Sequence, residues 1–290
     1  MKDLTIKAKV LIEALPYFQE FRDEIIVIKF GGSVMEDPAK IKAIMRDIVF
    51  MECVGMKPVV VHGGGKAITA KLNELNIETK FVHGLRYTCE DTLSVVDDVL
   101  HNDVNQRLIK GAAEAAGEGI QLSGKRFIEA KKLNAECPKT GSKEDIGFVG
   151  EVVDVDISLI TEQLENAVVP IIPPLGYDKK GQIYNINADI AACKIAEALL
   201  ARKLVFVSDV PGILEDKDDE DSLISSIKVS DVDGLINKGT IVGGMIPKIK
   251  SAISALNAGT NKVHMIDGRL EHSLLLEIFT DAGVGTEITR

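Results

Sequence analysis

The chain has no tryptophan, and only 4% of its residues are aromatic. A surface that binds single-stranded nucleic acid needs rings for bases to stack on, so this composition argues against that class of partner. Charge argues the same way. Acidic residues outnumber basic ones, 44 against 34, the net charge is −10, and no Lys/Arg cluster offers itself to nucleic acid or to an anionic membrane. The four cysteines, Cys53, Cys89, Cys137 and Cys193, are dispersed without a C-x-x-C, and the five histidines stand at no ligand spacing near them. This reads as reduced thiols in a cytoplasmic protein. No apolar run approaches ~20 residues, and the N-terminus lacks the apolar core of a signal peptide. The P-loop pattern G-x-x-x-x-G-K-[ST] and the dinucleotide fingerprint G-x-G-x-x-G are missing too.

What is present begins with one stretch. At 290 residues and 46% hydrophobic, the chain can form one large domain or two lobes with a sizeable core. Its organising run is Ile25-Ile26-Val27-Ile28-Lys29-Phe30-Gly31-Gly32-Ser33-Val34. Branched apolar residues without polar alternation, ended by glycines, predict a strand buried on both faces of a parallel sheet. Lys29 interrupts the run, and a buried ammonium calls for an anion beside it; a lysine snorkelling off the strand end is the plainer alternative. Gly31 and Gly32 let the backbone approach that anion and turn its N–H groups toward it.

Ahead of this strand, Leu4, Ala8, Leu11, Leu15 and Phe18 recur at helical spacing within residues 1–22, predicting an amphipathic helix kinked or broken at Pro16. Its apolar face packs either on its own domain or on another subunit. Behind it, strand and helix alternate. Asp37 and Pro38 read as N-cap and N1 of a helix striped by Ile41, Ile44, Met45, Ile48 and Val49. A strand over 58–62 runs into Gly63-Gly64-Gly65-Lys66 and a helix N-terminus, whose unpaired N–H groups attract anions. Arg86, within Gly84-Leu85-Arg86-Tyr87-Thr88, precedes a long helix capped by Thr88; its fork suits a carboxylate, although a surface ion pair is the commoner use.

Residues 120–156 read as short strands and turns, with 146–156 as a hairpin arm able to flap over a site. A buried strand over 167–172 leads to Asn185-Ile186-Asn187-Ala188-Asp189, where Asp189 reads as a helix N-cap and the two amides point one way if the segment is extended. Another strand, over 203–209, ends in Ser208 and Asp209, and the acidic run 215–221 reads as a solvated loop. Gly243-Gly244-Met245-Ile246-Pro247-Lys248 opens a helix with Pro247 at N1. Lys248 then places a cation where the helix dipole disfavours it by ~0.3–1 kcal/mol, which makes sense if a phosphate lies there. The last strand is Lys262–Asp267. Polar and glycine residues thus collect at the C-terminal strand ends of an α/β sheet, the edge where ligands bind.

In this order, Lys-Phe-Gly-Gly-Ser, His-Gly-Gly-Gly, Gly-Leu-Arg-Tyr-Thr, Asn-Ile-Asn-Ala-Asp, Ser-Asp-Val-Pro-Gly-Ile and Gly-Gly-Met-Ile-Pro-Lys closely resemble the acetylglutamate kinases of the amino acid kinase family. The resemblance runs from about residue 25 to residue 290. It implies an α/β fold, a three-layer αβα sandwich about a mainly parallel sheet, in two lobes. Residues 1–22 would serve oligomerisation, 23–198 would bind the amino acid and dimerise, and 199–290 would bind ATP with Mg2+. The implied reaction moves the γ-phosphoryl of ATP to the side-chain carboxylate of N-acetyl-L-glutamate, a step of arginine biosynthesis.

By the same resemblance Lys29 lies toward the transferring side, Lys248 reaches the nucleotide phosphates, and Asp189 fixes both ammonium groups. Backbone N–H groups of Gly31, Gly32, Gly64 and Gly65 would receive phosphoryl and carboxylate oxygens, Arg86 the α-carboxylate, and Asn185 and Asn187 the acetamido end. Ser208, Asp209, Gly243 and Gly244 would frame the nucleotide, and no protein side chain is expected to ligate a metal. Kinases of aspartate, glutamate, carbamate, uridylate or carrier-bound aminoadipate are rivals within the family. A non-catalytic amino-acid-binding regulator predicts loss of a lysine or of the aspartate, and all three are present; a nucleotide-dependent oxidoreductase lacks its fingerprint. The extra N-terminal helix and the stretch from Leu276 to Gly285 resemble the hexameric, arginine-inhibited members, with Tyr17, Glu277 and Gly283 as effector candidates.

Overall fold

The computed structural model describes residues 2–136, 141–280 and 283–290; Cys137, Asp281, Ala282 and the side chain of Leu4 lie outside the described residues. The chain opens with the expected N-terminal helix, α1 (Lys2–Glu20), which continues through Pro16 without a break. A proline removes the hydrogen bond to the carbonyl four residues back, here that of Ile12, a residue open to solvent, so the helix can tolerate the loss. β1 (Ile25–Phe30) follows, then α2 (Pro38–Cys53), which starts as expected with Asp37 accepting from the Ala39 N–H. β2 (Lys57–His62) leads into α3 (Gly65–Glu74), and a tight turn joins β3 (Phe81–Val82) to β4 (Leu85–Arg86).

α4 (Glu90–Asp98) passes through a π-helical stretch, Val99–Val104, directly into α5 (Asn105–Glu114), so the expected long helix is one rod with a widened turn. Its N-cap is Cys89 and not Thr88, whose buried hydroxyl donates instead to the Arg86 carbonyl. β5 (Gly119–Gln121), β6 (Ile128–Glu136), β7 (Lys143–Val155), α6 (Ser158–Glu165), β8 (Val169–Ile172), β9 (Leu175–Tyr177) and β10 (Ile183–Ile186) come next. The order closes with α7 (Ala188–Ala198), β11 (Lys203–Ser208), β12 (Ser226–Lys228), α8 (Val232–Lys238), α9 (Met245–Ala258), β13 (Lys262–Asp267), α10 (Ser273–Ile278) and β14 (Thr286–Thr289). Pro247 stands third in α9, not first; the N–H it lacks is one that a helix's first turn leaves unpaired in any case.

The main sheet has eight strands in the order β12-β14-β13-β11-β1-β2-β8-β5, with every neighbouring pair parallel except β13–β14. Ile26, Ile28 and Phe30 of β1 pack into a core with α2 and α5, while Val27 faces the opposite core with α7 and α9. Helices on both faces explain why these strands read as unbroken apolar runs. Burial of each such side chain contributes roughly 1.5–3 kcal/mol. The hairpin expected to flap is tied down: β6, β7, β9 and β10 close into a small barrel, and Gly147 runs against Thr88. Gly147 has φ +76°, and a Cβ there would collide with the Thr88 carbonyl, so only glycine permits this seam. Cys53 is exposed and Cys193 is buried on α7, both as free thiols. No helix among the described residues is long and apolar enough to cross a membrane.

Candidate active site

β1 delivers Lys29 to the C-terminal edge of the sheet, where its ammonium lies 2.9 Å from Asp189 Oδ1. Lys248, near the start of α9, approaches the other oxygen of the same carboxylate at 3.9 Å and lies over the Phe206 ring. Asp189 was expected to cap α7, but Asn187 does so, its side-chain oxygen accepting from the N–H groups of Asp189 and Ile190. The Asp189 carboxylate is thereby left for the lysines. Burial opposes its ionisation, yet the charges of Lys29 and Lys248 hold its carboxyl below the usual range. Burial, partly offset by Asp189, draws Lys248 below the usual lysine range. Two ammonium groups thus share the Asp189 carboxylate, with the charge of Asp209 also acting on Lys248, and this concentrates cations at one sheet edge in a chain of net charge −10.

Gly31 serves this clamp sterically. A Cβ there would lie 2.6 Å from Lys29 Nζ, so the bare backbone gives the ammonium its place. Gly31 and Gly32, Gly64 and Gly65, Lys29, Asp189, Arg86, Asn185 and Asn187 all line one cleft of about 1190 Å³. Its floor includes the N-terminus of α3, where Gly64 is the N-cap and the first turn carries no acidic side chain. Free N–H groups there add a partial positive charge. Lys66 and Glu36, 2.9 Å apart, bridge the rims of the two glycine turns.

Arg86 sits at the far end. The turn between β3 and β4 consists of His83 and Gly84, both at positive φ, and it pairs Phe81 directly with Arg86. The guanidinium lies 4.8 Å from the Phe81 ring centre, and its Nη2 donates to Gly65 O at 2.9 Å and Thr69 Oγ1 at 2.7 Å. Its Nη1 is buried without an acceptor, and no described carboxylate comes within ion-pair distance of it. Burial draws Arg86 below the usual arginine range. Thr88 links this end to Asn185, whose Nδ2 donates to Thr88 Oγ1 at 3.2 Å. Thr69, Phe81 and Thr88 were not foreseen as parts of the site; a His-Gly pair between two short apolar runs was the available signal for the hairpin that aligns Phe81 with Arg86.

The nucleotide candidates lie outside this cleft's lining. Ser208 ends β11, Asp209 follows it beside Gly32, and Gly243 and Gly244 precede α9 in open space. Of the effector candidates, Glu277 and Gly283 lie together, and Tyr17 packs on Phe279, two residues beyond Glu277. Tyr17 packs edge-on against Phe279 with ring centres 6.3 Å apart, and a Cβ on Gly283 would touch Glu277. Glu277 accepts from His264 Nδ1 at 2.6 Å and from the N–H groups of Val284 and Gly285.

The family model described as amino acid kinase family matches residues 24–267. The chain belongs to the amino acid kinase family. Among related members, the acetylglutamate kinase of Brachyspira hyodysenteriae is 47% identical over 280 residues, covering 97% of this chain and 96% of that protein. The acetylglutamate kinase of Carboxydothermus hydrogenoformans is 48% identical over 287 residues, 98% of each chain. Of solved structures, smu.665 from Streptococcus mutans superposes with a TM-score of 0.72 at 32% identity, covering 91% of this chain and 98% of that one. N-acetylglutamate synthase from Neisseria gonorrhoeae gives a TM-score of 0.83 at 24% identity; this chain spans 63% of its length, and the likeness is one of fold. The family's mainly parallel αβα architecture is the one expected from the motifs.

Proposed function

We propose that this amino acid kinase transfers the γ-phosphoryl of ATP, taken up with Mg2+, to the side-chain carboxylate of N-acetyl-L-glutamate, giving N-acetyl-L-glutamyl 5-phosphate and ADP in arginine biosynthesis. Arg86 carries the reading. A buried guanidinium with an unmet donor and no carboxylate of its own suits an anionic substrate, and Lys29 and Asp189 of the clamp line the same cleft. The relatives named acetylglutamate kinase support the choice of acid. A carboxylate nucleophile is ionised at neutral pH, so no general base is needed. The chain then contributes alignment and charge. Lys29 and Lys248 face the phosphoryl charge, Asp189 fixes both, and N–H groups of Gly31, Gly32, Gly64 and Gly65 receive phosphoryl and carboxylate oxygens. Arg86 holds the α-carboxylate; Asn185 and the unused amide end of Asn187 hold the acetamido group. The open N-terminus of α9 at Gly243 and Gly244, with Ser208 and Asp209, fits a nucleotide whose phosphates bring Mg2+ with them, since no described cluster of His, Cys, Asp or Glu could hold a metal. ADP release over a panel of acidic amino acids, with and without N-acetyl groups, tests this. Activity on glutamate or aminoadipate with none on N-acetylglutamate would overturn it.

The same reading divides the chain into an oligomerisation helix (1–22), an amino-acid lobe (23–198) and an ATP lobe (199–290), in a cytoplasmic trimer of dimers inhibited by L-arginine near Tyr17, Glu277 and Gly283. Exposed Val10, Leu11, Ile12 and Leu15 on α1 support an oligomeric role, and the free thiols support the compartment. Deleting residues 1–20 should give an active dimer with weakened arginine inhibition; a truncated hexamer, fully inhibited in sedimentation and activity assays, sinks this part.

A further inference from the structure

Behind the second glycine turn runs a buried hydrogen-bond chain that neither the lysine clamp nor Arg86 uses. His62 and Asn105 are both fully buried. Asn105 Nδ2 stands 3.0 Å from the carbonyl of Ile171 and 3.0 Å from His62 Nε2, one amide proton for each. A ring nitrogen that accepts carries no proton, so the proton of neutral His62 is on Nδ1, which donates to Gly63 O at 2.9 Å. Burial, which pushes His62 down to about 4, keeps the ring neutral. Asn105 is the first residue after the π-helical stretch, a feature often found at functional sites, and Leu100 and Val104 from that stretch press on Gly64, leaving no room for a side chain.

The Gly63–Gly64 peptide is trans, so its C=O and N–H point in opposite directions. Holding the Gly63 carbonyl against buried His62 therefore turns the Gly64 N–H toward the cleft that Gly64 lines, and no described group accepts from it. We infer that His62 and Asn105 are positioning residues for phosphoryl transfer: the Nδ1–H tautomer of His62, locked by Asn105, aims the Gly64 N–H at the oxygen charge of the transferring group. This rests on the reading of Gly64 as a donor at the reacting end.

Two measurements on the full chain test it. Nitrogen-15 NMR of the histidines should show His62 neutral with its proton on Nδ1 from about pH 6 to 8. Replacing the ring by an apolar group, His62→Leu, should lower kcat by about 10- to 100-fold, the usual range for a lost outer-shell partner, with both KM values held within about twofold. His62→Asn, whose Nδ2 stands where Nδ1 stood, should recover most of that loss. If His62→Leu does not fold, His62→Gln, whose amide stands where Nε2 stood and leaves the Nδ1 position empty, should show the same kcat loss in a folded protein. A proton on Nε2, or an imidazolium, overturns the relay itself. The expected tautomer together with unchanged kcat in His62→Leu or His62→Gln overturns the donor role of Gly64, and the inference with it.

Discussion

Arg86 and Glu277 are 8% and 5% exposed, and both are buried ions, yet their surroundings differ in kind. Each oxygen of Glu277 has its donors: His264 Nδ1 on one, and the Val284 and Gly285 N–H groups on the other. Arg86 has acceptors for Nη2 alone and no counter-charge among the described residues. A buried ion that its own chain satisfies holds structure together, whereas one left half-satisfied is prepared for a ligand of opposite charge. The contrast bears on the two proposed sites. An anionic substrate at Arg86 would fill an unmet bond, while a cationic effector at Glu277 would have to share or displace bonds already made.

The largest effect should come from the clamp, whose two ammonium groups share the one Asp189 carboxylate. Lys29→Met and Lys248→Met should each keep the fold and lower turnover by orders of magnitude, since a lost preorganised donor costs ~2.7–4 kcal/mol of barrier. Turnover within a fewfold of the parent, in a coupled ADP assay, would move these lysines to the structural side. His62 adds a buried group that is neutral. Its folded value is about 4 against an ordinary 6.5, so its contribution is intact above pH 6.5 and lost as pH falls toward 4. The loss should reach roughly 3 kcal/mol by denaturant titration and be absent in His62→Asn. An equal acid slope in both proteins would show a charged or solvated ring.

Glu277→Gln should cost about 1–3 kcal/mol of stability and leave kcat nearly unchanged. Burial works against ionised Glu277, but His264 and the two N–H groups outweigh it and hold its carboxyl below the usual range. Its stabilisation is therefore present above the unfolded carboxyl value and fades as pH falls through the folded one, so the stability curves of parent and variant should converge in acid. Lost turnover without lost stability would break the contrast. Arg86→Lys should act most gently, raising KM for the amino acid about tenfold, ~1.4 kcal/mol, while sparing that for ATP, because an ammonium cannot reproduce the fork. Equal effects on both substrates would make Arg86 structural.

Much of this was readable from the chain because the signals are local. Asp37 with Pro38, and the apolar runs of β1, β2 and β11, announce themselves within a few residues. The three-residue β12 and the four-residue β14 are too short to show a period and exist through pairing with each other and with β13. The cap of α7 was misplaced by two residues because Asn187 and Asp189 are both good caps; tertiary charge decided, reserving Asp189 for Lys29 and Lys248. Lys29 and Lys248 were legible because each broke a local rule, whereas Asp189 read as a plain cap and joined them through the resemblance of the motifs. His62 was not, because a lone histidine before three glycines carries no spacing, and its role depends on Asn105, 43 residues away.

Cys193 gives α7 a chemical clock. It lies one turn beyond Asp189, 3% exposed, and burial, then the Asp189 charge, push its thiol up. Alkylating reagents attack thiolates that solvent can reach, so this sulfur should react only while α7 is transiently open. Exposed Cys53 is the reference for reaction without opening. The ratio of the two labelling rates reads out how often the helix that carries Asp189 leaves the sheet, and a ligand gripping both lysines should slow Cys193 while leaving Cys53 untouched.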